Sequence, residues 1–262
     1  TRDADLRCYV LTRRAQLYGS VLNNQARASG YQKDADVVWQ SIADNVASER
    51  RRCSDVRAEI GFRGIESGFK KFGSLKLSPL DPTNAKAIKI FKASLAVVTS
   101  RRDVLLREYQ RLAALGSETW SVAAAYRAGA VLMQSVDKLL TAPIASTLAL
   151  SVEDEQLVRE GLREKAMPLR ELAKSRFEDC LAVSRALAVG GDWVEKARGA
   201  LAKMNPLGFG KSREKWIRPE QSEAAGGVLR LFKQMSDGMF KNVDVLQVRG
   251  VRDLPPKAGS KP

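Results

Sequence analysis

Three cysteines, an acidic triplet and one glycine-lysine-serine run are the residues of this sequence whose types could support chemistry. A cysteine acts as a nucleophile, a redox centre or a zinc ligand only with a suitably spaced base or partner. The 262 residues include no histidine, which excludes Ser-His-Asp and Cys-His nucleophile systems and all His-ligated metal sites. The sequence therefore predicts a binding protein, with no catalytic residue, cofactor site or metal site.

The cysteines Cys8, Cys53 and Cys180 show no C-x-x-C spacing, so a zinc ribbon and a thioredoxin-type motif are excluded. Free buried thiols are the favoured interpretation, because free cysteine packs as a small hydrophobic residue. A disulfide between Cys8 and Cys53 in an oxidising compartment stays open.

Two other motifs resemble chemical sites and fail on spacing or context. The run Gly-Lys-Ser at 210–212 would need glycine in place of Asn205 to form a phosphate-binding loop. The acidic triplet at 153–155 follows Ser151 as in a capping box, where the helix dipole favours negative charge. We interpret the triplet as a helix start, and a catalytic carboxylate pair there is the weaker alternative.

The composition indicates a helical, basic protein. Hydrophobic residues make up 44% of the chain and aromatic residues only 6%, and the abundance of alanine and leucine favours helix over sheet. The net charge of +14 fits an acidic protein, an anionic polymer or an anionic membrane surface as partner, and a solvated basic surface is the plain alternative. No apolar run is long enough for a membrane span, and no signal peptide is visible.

Apolar residues recur at helical spacing along most of the chain. In the first helix we expect Leu6, Val10, Leu17, Val21 and Leu22 to form the apolar stripe, with a stop at Gly30. Asp81 with Pro82 reads as a helix start, and Ser117 or Thr119 as another. The predicted helices cover residues 5–29, a stretch from 32 past 42, 44–60, 62–72, 82–99, 102–115, 119–140, 152–188, 192–205 and 219–242.

Small and bulky residues alternate at helical spacing in several of these helices, which predicts close packing between neighbouring helices. The residues expected to make these contacts are Ala35, Trp39, Tyr109, Ala125, Gly129, Ala173, Phe177, Cys180 and Trp193.

The alternation resembles the tetratricopeptide repeat (TPR), a helix pair with small and large residues at fixed offsets. Ala125, Gly129 and Leu132 match the first helix of the repeat, and the series Ala-Phe-Cys at 173, 177 and 180 matches the second. Leu105, Tyr109 and Leu112 fit more loosely. The resemblance implies an all-α fold, a right-handed α-solenoid of degenerate TPR-like hairpins with a C-terminal capping helix.

The expected organisation has three parts. A TPR-like repeat array covers residues 1–206, with a possible break at 73–84. Residues 207–246 form a linker and the capping helix, and 247–262 a disordered basic tail.

A narrower likeness is carried by the run Ala-Tyr-Arg-Ala-Gly at 125–129, by Ala-Pro-Ile at 142–144, by the acidic helix start and by Lys-Ala-Met-Pro-Leu at 165–169. On these residues, the stretch from Tyr126 to Pro206 is similar to the C-terminal region of large TPR proteins of the deltaproteobacterial cell envelope, some of them associated with gliding motility. It implies a non-enzymatic scaffold for protein–protein interaction within a multiprotein complex. It also implies a periplasmic or envelope location, while a cytoplasmic one stays open.

A TPR-type array offers a concave groove for an extended peptide or a helix. We expect Arg101, Arg102, Arg127 and Arg176 to line this groove and to attract an acidic protein or peptide. The alternative function is binding of nucleic acid or another anionic polymer through the basic surface, although no nucleic-acid motif is present.

Overall fold

The computed structural model of the protein describes residues 2–42, 51–145 and 152–205. These residues form seven α-helices and no β-strand, so the predicted all-α class is confirmed. The predicted capping helix in 207–246, the predicted tail, the run at 210–212 and Ser151 lie outside the described residues. The helices are α1 (Arg2–Gln16), α2 (Gln25–Ile42), α3 (Arg51–Ser74), α4 (Ala85–Ala113), α5 (Glu118–Leu140), α6 (Val152–Ala186) and α7 (Asp192–Met204).

The first turn of the chain lies earlier than predicted. A π-helical turn at Leu17–Val21 extends α1, and the chain reverses at residues 22–24, whereas Gly30 lies inside α2. Asn23 has a φ of 48°, and the side chain of Asn24 accepts a hydrogen bond from the backbone N–H of Arg27 at 3.1 Å. Asparagine tolerates left-handed backbone and caps helices well, so these two residues end α1 and start α2 before the glycine is reached.

The predicted helix starts are partly correct. Ser117 caps α5, after Gly116 has ended the preceding segment with a φ of 76°. The predicted cap at Asp81 is wrong, because its carboxylate accepts hydrogen bonds from the N–H and the hydroxyl of Thr83. The cap of α4 is Asn84 instead, which accepts from the N–H groups of residues 86 and 87.

Two pairs of predicted helices are single helices in the structure. Residues 51–60 of the first stretch and the stretch 62–72 merge in α3, while 44–50 lie outside the described residues; 82–99 and 102–115 merge in α4. A β-carbon added at Gly61 would lie 3.4 Å from the side chain of Leu112, and one at Gly68 would lie 3.3 Å from that of Leu105. The glycines therefore let α3 and α4 approach closely, and this packing outweighs their low helix propensity of about 1 kcal/mol each.

The buried face of α1 differs from the predicted one. The expected apolar stripe faces solvent, and Cys8, Thr12 and Ala15 are buried instead. A disulfide from Cys8 to Cys53 attaches this face of α1 to the start of α3. The covered side of α1 is therefore the one that carries Cys8. The exposed residues of the predicted stripe are Leu6, Val10, Leu17, Val21 and Leu22.

Helices next to each other in sequence pack against each other in most cases, most extensively α5 with α6. The odd-numbered helices also contact one another in order, α1 with α3, α3 with α5 and α5 with α7. The connections between α3 and α4 and after α5 are joined by backbone hydrogen bonds from Leu80 to Pro143 and from Ala145 to Leu80. The described helices therefore form one continuous packed assembly.

The contact between α5 and α6 is a close interlock of a small and a large residue. A β-carbon at Gly129 would lie 2.6 Å from the ring of Phe177, so only glycine leaves room for the ring. The thiol of Cys180 donates to the carbonyl of Val122 at 3.5 Å, and Ala125 and Ala173 are fully or almost fully buried nearby in the same core. Because residues 122 and 129 of α5 meet residues 180 and 177 of α6, the two helices run antiparallel.

Candidate functional site

The four arginines predicted to line a groove occupy different environments. Arg102 and Arg176 are buried, with 5% and 8% of their surface exposed, and each binds a carboxylate of its own helix. Arg102 donates to Asp103 at 2.8 Å, and Arg176 donates to Asp179 at 2.8 Å. Arg101 is exposed on the outer side of α4. Arg102 and Arg176 are therefore neutralised within their own helices, and the role of all four arginines toward a partner stays a prediction.

Arg127 is the predicted residue that lies where several helices meet. Its guanidinium donates two hydrogen bonds to the carboxylate of Glu66 on α3, from Nε at 2.8 Å and from Nη2 at 2.6 Å. The hydroxyl of Tyr109 on α4 donates to the same carboxylate at 3.2 Å. Arg127 and Glu66 remain about one fifth exposed. A two-point Arg–carboxylate contact fixes the orientation of both groups, so this pair holds α3, α4 and α5 in register.

Burial and the negative charge of Glu66 raise the pKa of Tyr109 far above its usual value. The phenol is therefore protonated at every physiological pH and acts as a hydrogen-bond donor to the carboxylate. Burial also raises the pKa of Tyr126, so the hydroxyl of this residue is protonated at neutral pH as well. Neither tyrosine can act as a general base near neutral pH.

Three aromatic rings lie close to the Arg127 guanidinium. The guanidinium carbon lies 4.3 Å from the ring centroid of Phe69, 5.1 Å from that of Trp193 and 6.0 Å from that of Tyr126. The ammonium of Lys196 lies 4.4 Å from the Trp193 centroid. Cations at such distances from ring faces are attracted by the ring quadrupole. We call Phe69, Tyr126, Arg127, Trp193 and Lys196 the aromatic–arginine surface.

The ring contacts continue inward from this surface. Trp193 of α7 lies 5.4 Å from Phe62 of α3 and 5.6 Å from Tyr126 of α5, measured between ring centroids. Tyr126 in turn lies 5.7 Å from Phe177. The helices α3 and α7 therefore meet directly at this level, across α5. The outer members of the cluster are only half-buried, and they form a patch of Trp, Tyr, Phe, Arg and Lys side chains at the solvent boundary.

The remaining thiol, Cys180, is not placed for chemistry. It is fully buried between α5 and α6, and burial raises its pKa to about 12. A thiol with such a pKa is protonated at neutral pH and is a poor nucleophile. Within the described residues, no group of three or more His, Cys, Asp or Glu side chains could hold a metal ion.

The cysteine prediction is half correct. Cys180 is a free buried thiol, as expected, whereas Cys8 and Cys53 are joined in a disulfide and the preference for free thiols was wrong for them. Their Cα atoms are 5.6 Å apart. Two cysteines separated by 45 residues give no local signal of pairing, since only the packing of α1 on α3 brings them together.

Asp5 strengthens the same junction. Its carboxylate, 7% exposed, accepts hydrogen bonds from the backbone N–H of Cys53 at 3.0 Å and from that of Arg52 at 3.3 Å. It thus caps the start of α3 from another helix, where a negative charge is favoured by the helix dipole. The ion pair of Arg13 with Glu59 at 2.8 Å adds a third link between α1 and α3.

The predicted packing residues occupy the interior or its edge. Ala35, Tyr109, Ala125, Gly129, Ala173, Phe177 and Cys180 are buried, and Trp39 and Trp193 are half-buried. The important residue that the sequence analysis missed is Glu66. It lies in a glycine-rich stretch of weak helical signal, and its partner Arg127 is 61 positions away.

Comparison with protein-family models, with curated proteins and with solved structures finds no match to this chain. Among the described residues, no helix is both long enough and apolar enough to cross a membrane.

Proposed function

We propose that this chain is a non-enzymatic scaffold for protein–protein interaction, built as a right-handed solenoid of TPR-like hairpins. The order of contacts supports the architecture, because in a stack of helix pairs each first helix touches the first helix of the next pair. Here α1, α3, α5 and α7 have this relation, with α2, α4 and α6 as the second helices. Under this proposal residues 1–206 form one array.

The observation that carries the binding function is the aromatic–arginine surface. Tryptophan, tyrosine and arginine are the residue types enriched at energetic hot spots of protein interfaces. Trp193, Tyr126 and Arg127 are held rigidly by Glu66 and by the rings behind them, so binding a partner costs them little conformational entropy. A peptide or helix with apolar and carboxylate side chains fits this surface.

The proposal includes a location outside the cytosol, in a bacterial envelope assembly such as gliding-motility machinery. The disulfide supports an oxidising compartment, because disulfides persist there and are rare in cytosolic proteins. The assembly itself is proposed only on the sequence likeness of residues 126–206.

Selection from a random peptide display library on the immobilised chain tests the binding function. We expect enriched peptides to lose affinity by about tenfold or more on Trp193→Ala. Lys196 is exposed and lies over the Trp193 ring, so Lys196→Glu should weaken the binding of acidic peptides without affecting the fold. Val37→Ala, on the exposed side of α2, is the matched control and should leave affinity unchanged. Enriched peptides that bind all four proteins equally would contradict the proposal.

A second candidate function is binding of an anionic polymer, which the exposed side of α4 favours. Six of the seven basic residues of α4 are exposed, all except the buried Arg102, and its two acidic residues are only partly exposed. The affinity for plain duplex DNA or for an anionic polysaccharide should then fall steeply as the salt concentration rises. For DNA, a plot of the logarithm of the binding constant against the logarithm of the salt concentration should have a slope of about −0.9 per phosphate contact. The two functions use different sites. Arg107→Glu on α4 should therefore weaken binding of the polymer and leave binding of a peptide at Trp193 unchanged.

A further inference from the structure

One exposed stripe of α4 is basic and one exposed stripe of α6 is acidic, while the exposed Arg159, Arg163 and Lys165 lie outside the stripe of α6. The basic stripe of α4 consists of Lys86, Lys89, Ile90, Val97, Arg107 and Arg111. The acidic stripe of α6 consists of Glu153, Leu157, Glu160, Glu164, Met167 and Glu171. All twelve side chains are exposed. Apart from the neighbours Lys89 and Ile90, their spacings are three, four or seven residues or sums of these, and they place each set on one side of its helix.

The charges of these stripes have no ion-pair partner in the part of the chain that the structure describes. Within the described residues, none of the four basic side chains of the first stripe and none of the four carboxylates of the second makes an ion pair. Glu160 and Glu164 are one turn apart, as are Arg107 and Arg111. Like charges at this spacing destabilise a helix slightly, and an oppositely charged neighbour would relieve that repulsion.

Each stripe also exposes large apolar side chains among its charges. Ile90 and Val97 are 50% and 53% exposed on α4, and Leu157 and Met167 are 63% and 42% exposed on α6. An apolar centre with charged flanks is the composition of a helix–helix contact, in which burial gives affinity and charge selects the partner. The stripes are about 37 Å and about 27 Å long at 1.5 Å per residue, so their lengths allow extended pairing.

We propose that the occupant of each stripe is a second copy of this chain, with the basic stripe of one molecule on the acidic stripe of the other. Self-association explains the presence of both charge signs at matching spacing on one chain. A nucleic acid or a membrane surface would use the basic stripe alone and would leave the acidic one unexplained. Because the apolar content is small, the association is weak and depends on salt.

Sedimentation velocity of the intact chain tests self-association directly. We expect a monomer–oligomer equilibrium in about 50 mM salt at chain concentrations from about 1 to about 200 µM. This range covers the dissociation constants expected of small polar interfaces. Raising the salt to about 0.5 M, where the Debye length falls to a few ångströms, should shift it to monomer. A chain that is monomeric throughout at low salt would overturn the proposal.

A charge swap assigns the surface. Lys86→Glu, Arg107→Glu and Arg111→Glu give variant A, and Glu153→Lys, Glu160→Lys and Glu164→Lys give variant B. We expect each variant alone to associate at least about tenfold more weakly than the original chain, because its two stripes now have the same sign. An equimolar mixture of A and B should associate again, because A then meets B with opposite charges on both stripes.

The matched control is Lys33→Glu, Lys70→Glu and Lys76→Glu, which makes the same charge change at exposed positions outside the stripes. This control should associate as the original chain does. Association that survives in both A and B, or a mixture that stays monomeric while circular dichroism shows both variants folded, would overturn the assignment. Loss of self-association would leave peptide binding at Trp193 intact, so this test and that of the scaffold function are separate.

Discussion

The N-terminal unit, formed by α1, α2 and the first turns of α3, is held together differently from the main unit, formed by the rest of α3 to α7. Among the described residues, the buried hydrophobic cluster of the N-terminal unit consists of Cys8, Ile42 and Cys53, with Ala4, Val38 and Trp39 at its edge. The main unit buries a continuous core of leucine, valine, alanine and aromatic residues, including Tyr109, Phe72 and Phe177.

The difference lies in the means of attachment. The N-terminal unit replaces buried area with specific links, namely the Cys8–Cys53 disulfide, the Asp5 cap and the ion pairs Arg13–Glu59 and Arg57–Asp36. Burial of apolar surface stabilises a fold by about 25 cal/mol per Å², and small side chains bury little of it. A unit built from such side chains therefore needs other constraints. The comparison predicts that the two units respond to different perturbations.

The largest effect is expected in the main unit. Phe177→Ala removes a ring that is 2% exposed and fills the space above Gly129, and it should lower the free energy of unfolding by about 3–5 kcal/mol. Leu157→Ala, on the exposed side of the same helix, is the control and should change it by less than about 0.5 kcal/mol. Urea unfolding followed by circular dichroism measures both, and equal effects would refute the importance of this interlock.

The second effect should be confined to the N-terminal unit. With the cysteines 45 positions apart in the sequence, the chain-entropy model gives about 4 kcal/mol for the disulfide, at the upper end of the typical range. Cys8→Ala with Cys53→Ala should therefore speed amide hydrogen exchange in α1 and α2 and leave α5 and α6 unchanged. A reductant should reproduce the change in the original chain and have no effect on the double variant. Equal acceleration in α5 and α6 would show that the two units unfold together.

A third effect compares a half-buried ion pair with an exposed one inside the main unit. The pair Arg127–Glu66 is about one fifth exposed, and Arg159–Glu155 on α6 is about half exposed. Double-mutant cycles with Arg→Met and Glu→Gln should give a coupling of about 1–2 kcal/mol for the first pair and at most about 0.5 kcal/mol for the second. Higher salt should reduce only the second. Equal couplings would mean that the aromatic rings around Arg127 do not screen it from water.

The sequence predicted well what depends on local pattern. Helical spacing gave the all-α class, and the alternation of small and large residues singled out Gly129 and Phe177, which the structure places in contact. Helix length was predicted less well. Gly61 and Gly68 lower the local helix propensity, which predicts a break in the helix. The structure keeps the helix intact because these glycines pack on Leu112 and Leu105, about 40 to 50 residues later in the chain.

The sequence could not predict features that depend on distant pairs. The apolar residues Leu6 and Val10 indicate one buried face for α1, but α1 packs on α3 through another face, the one that carries Cys8 and its bond to Cys53. Glu66 carries no local sign of its contact with Arg127, because the two share no helix and no repeat spacing. At the aromatic–arginine surface the sequence named Arg127 and Trp193 and missed the carboxylate and Phe69 that position the guanidinium.

The smallest effect separates the cap at Asp5 from the disulfide beside it. Asp5→Ala removes the acceptor for the N–H groups of Arg52 and Cys53 and should lower the opening free energy of the N-terminal unit by about 1 kcal/mol. Asp5→Asn keeps an acceptor of similar shape, so it should cost clearly less. Hydrogen exchange of α1 and of the first turn of α3 measures both. If Asn and Ala had the same effect, the negative charge at the helix start, rather than the hydrogen bonds, would be what Asp5 contributes.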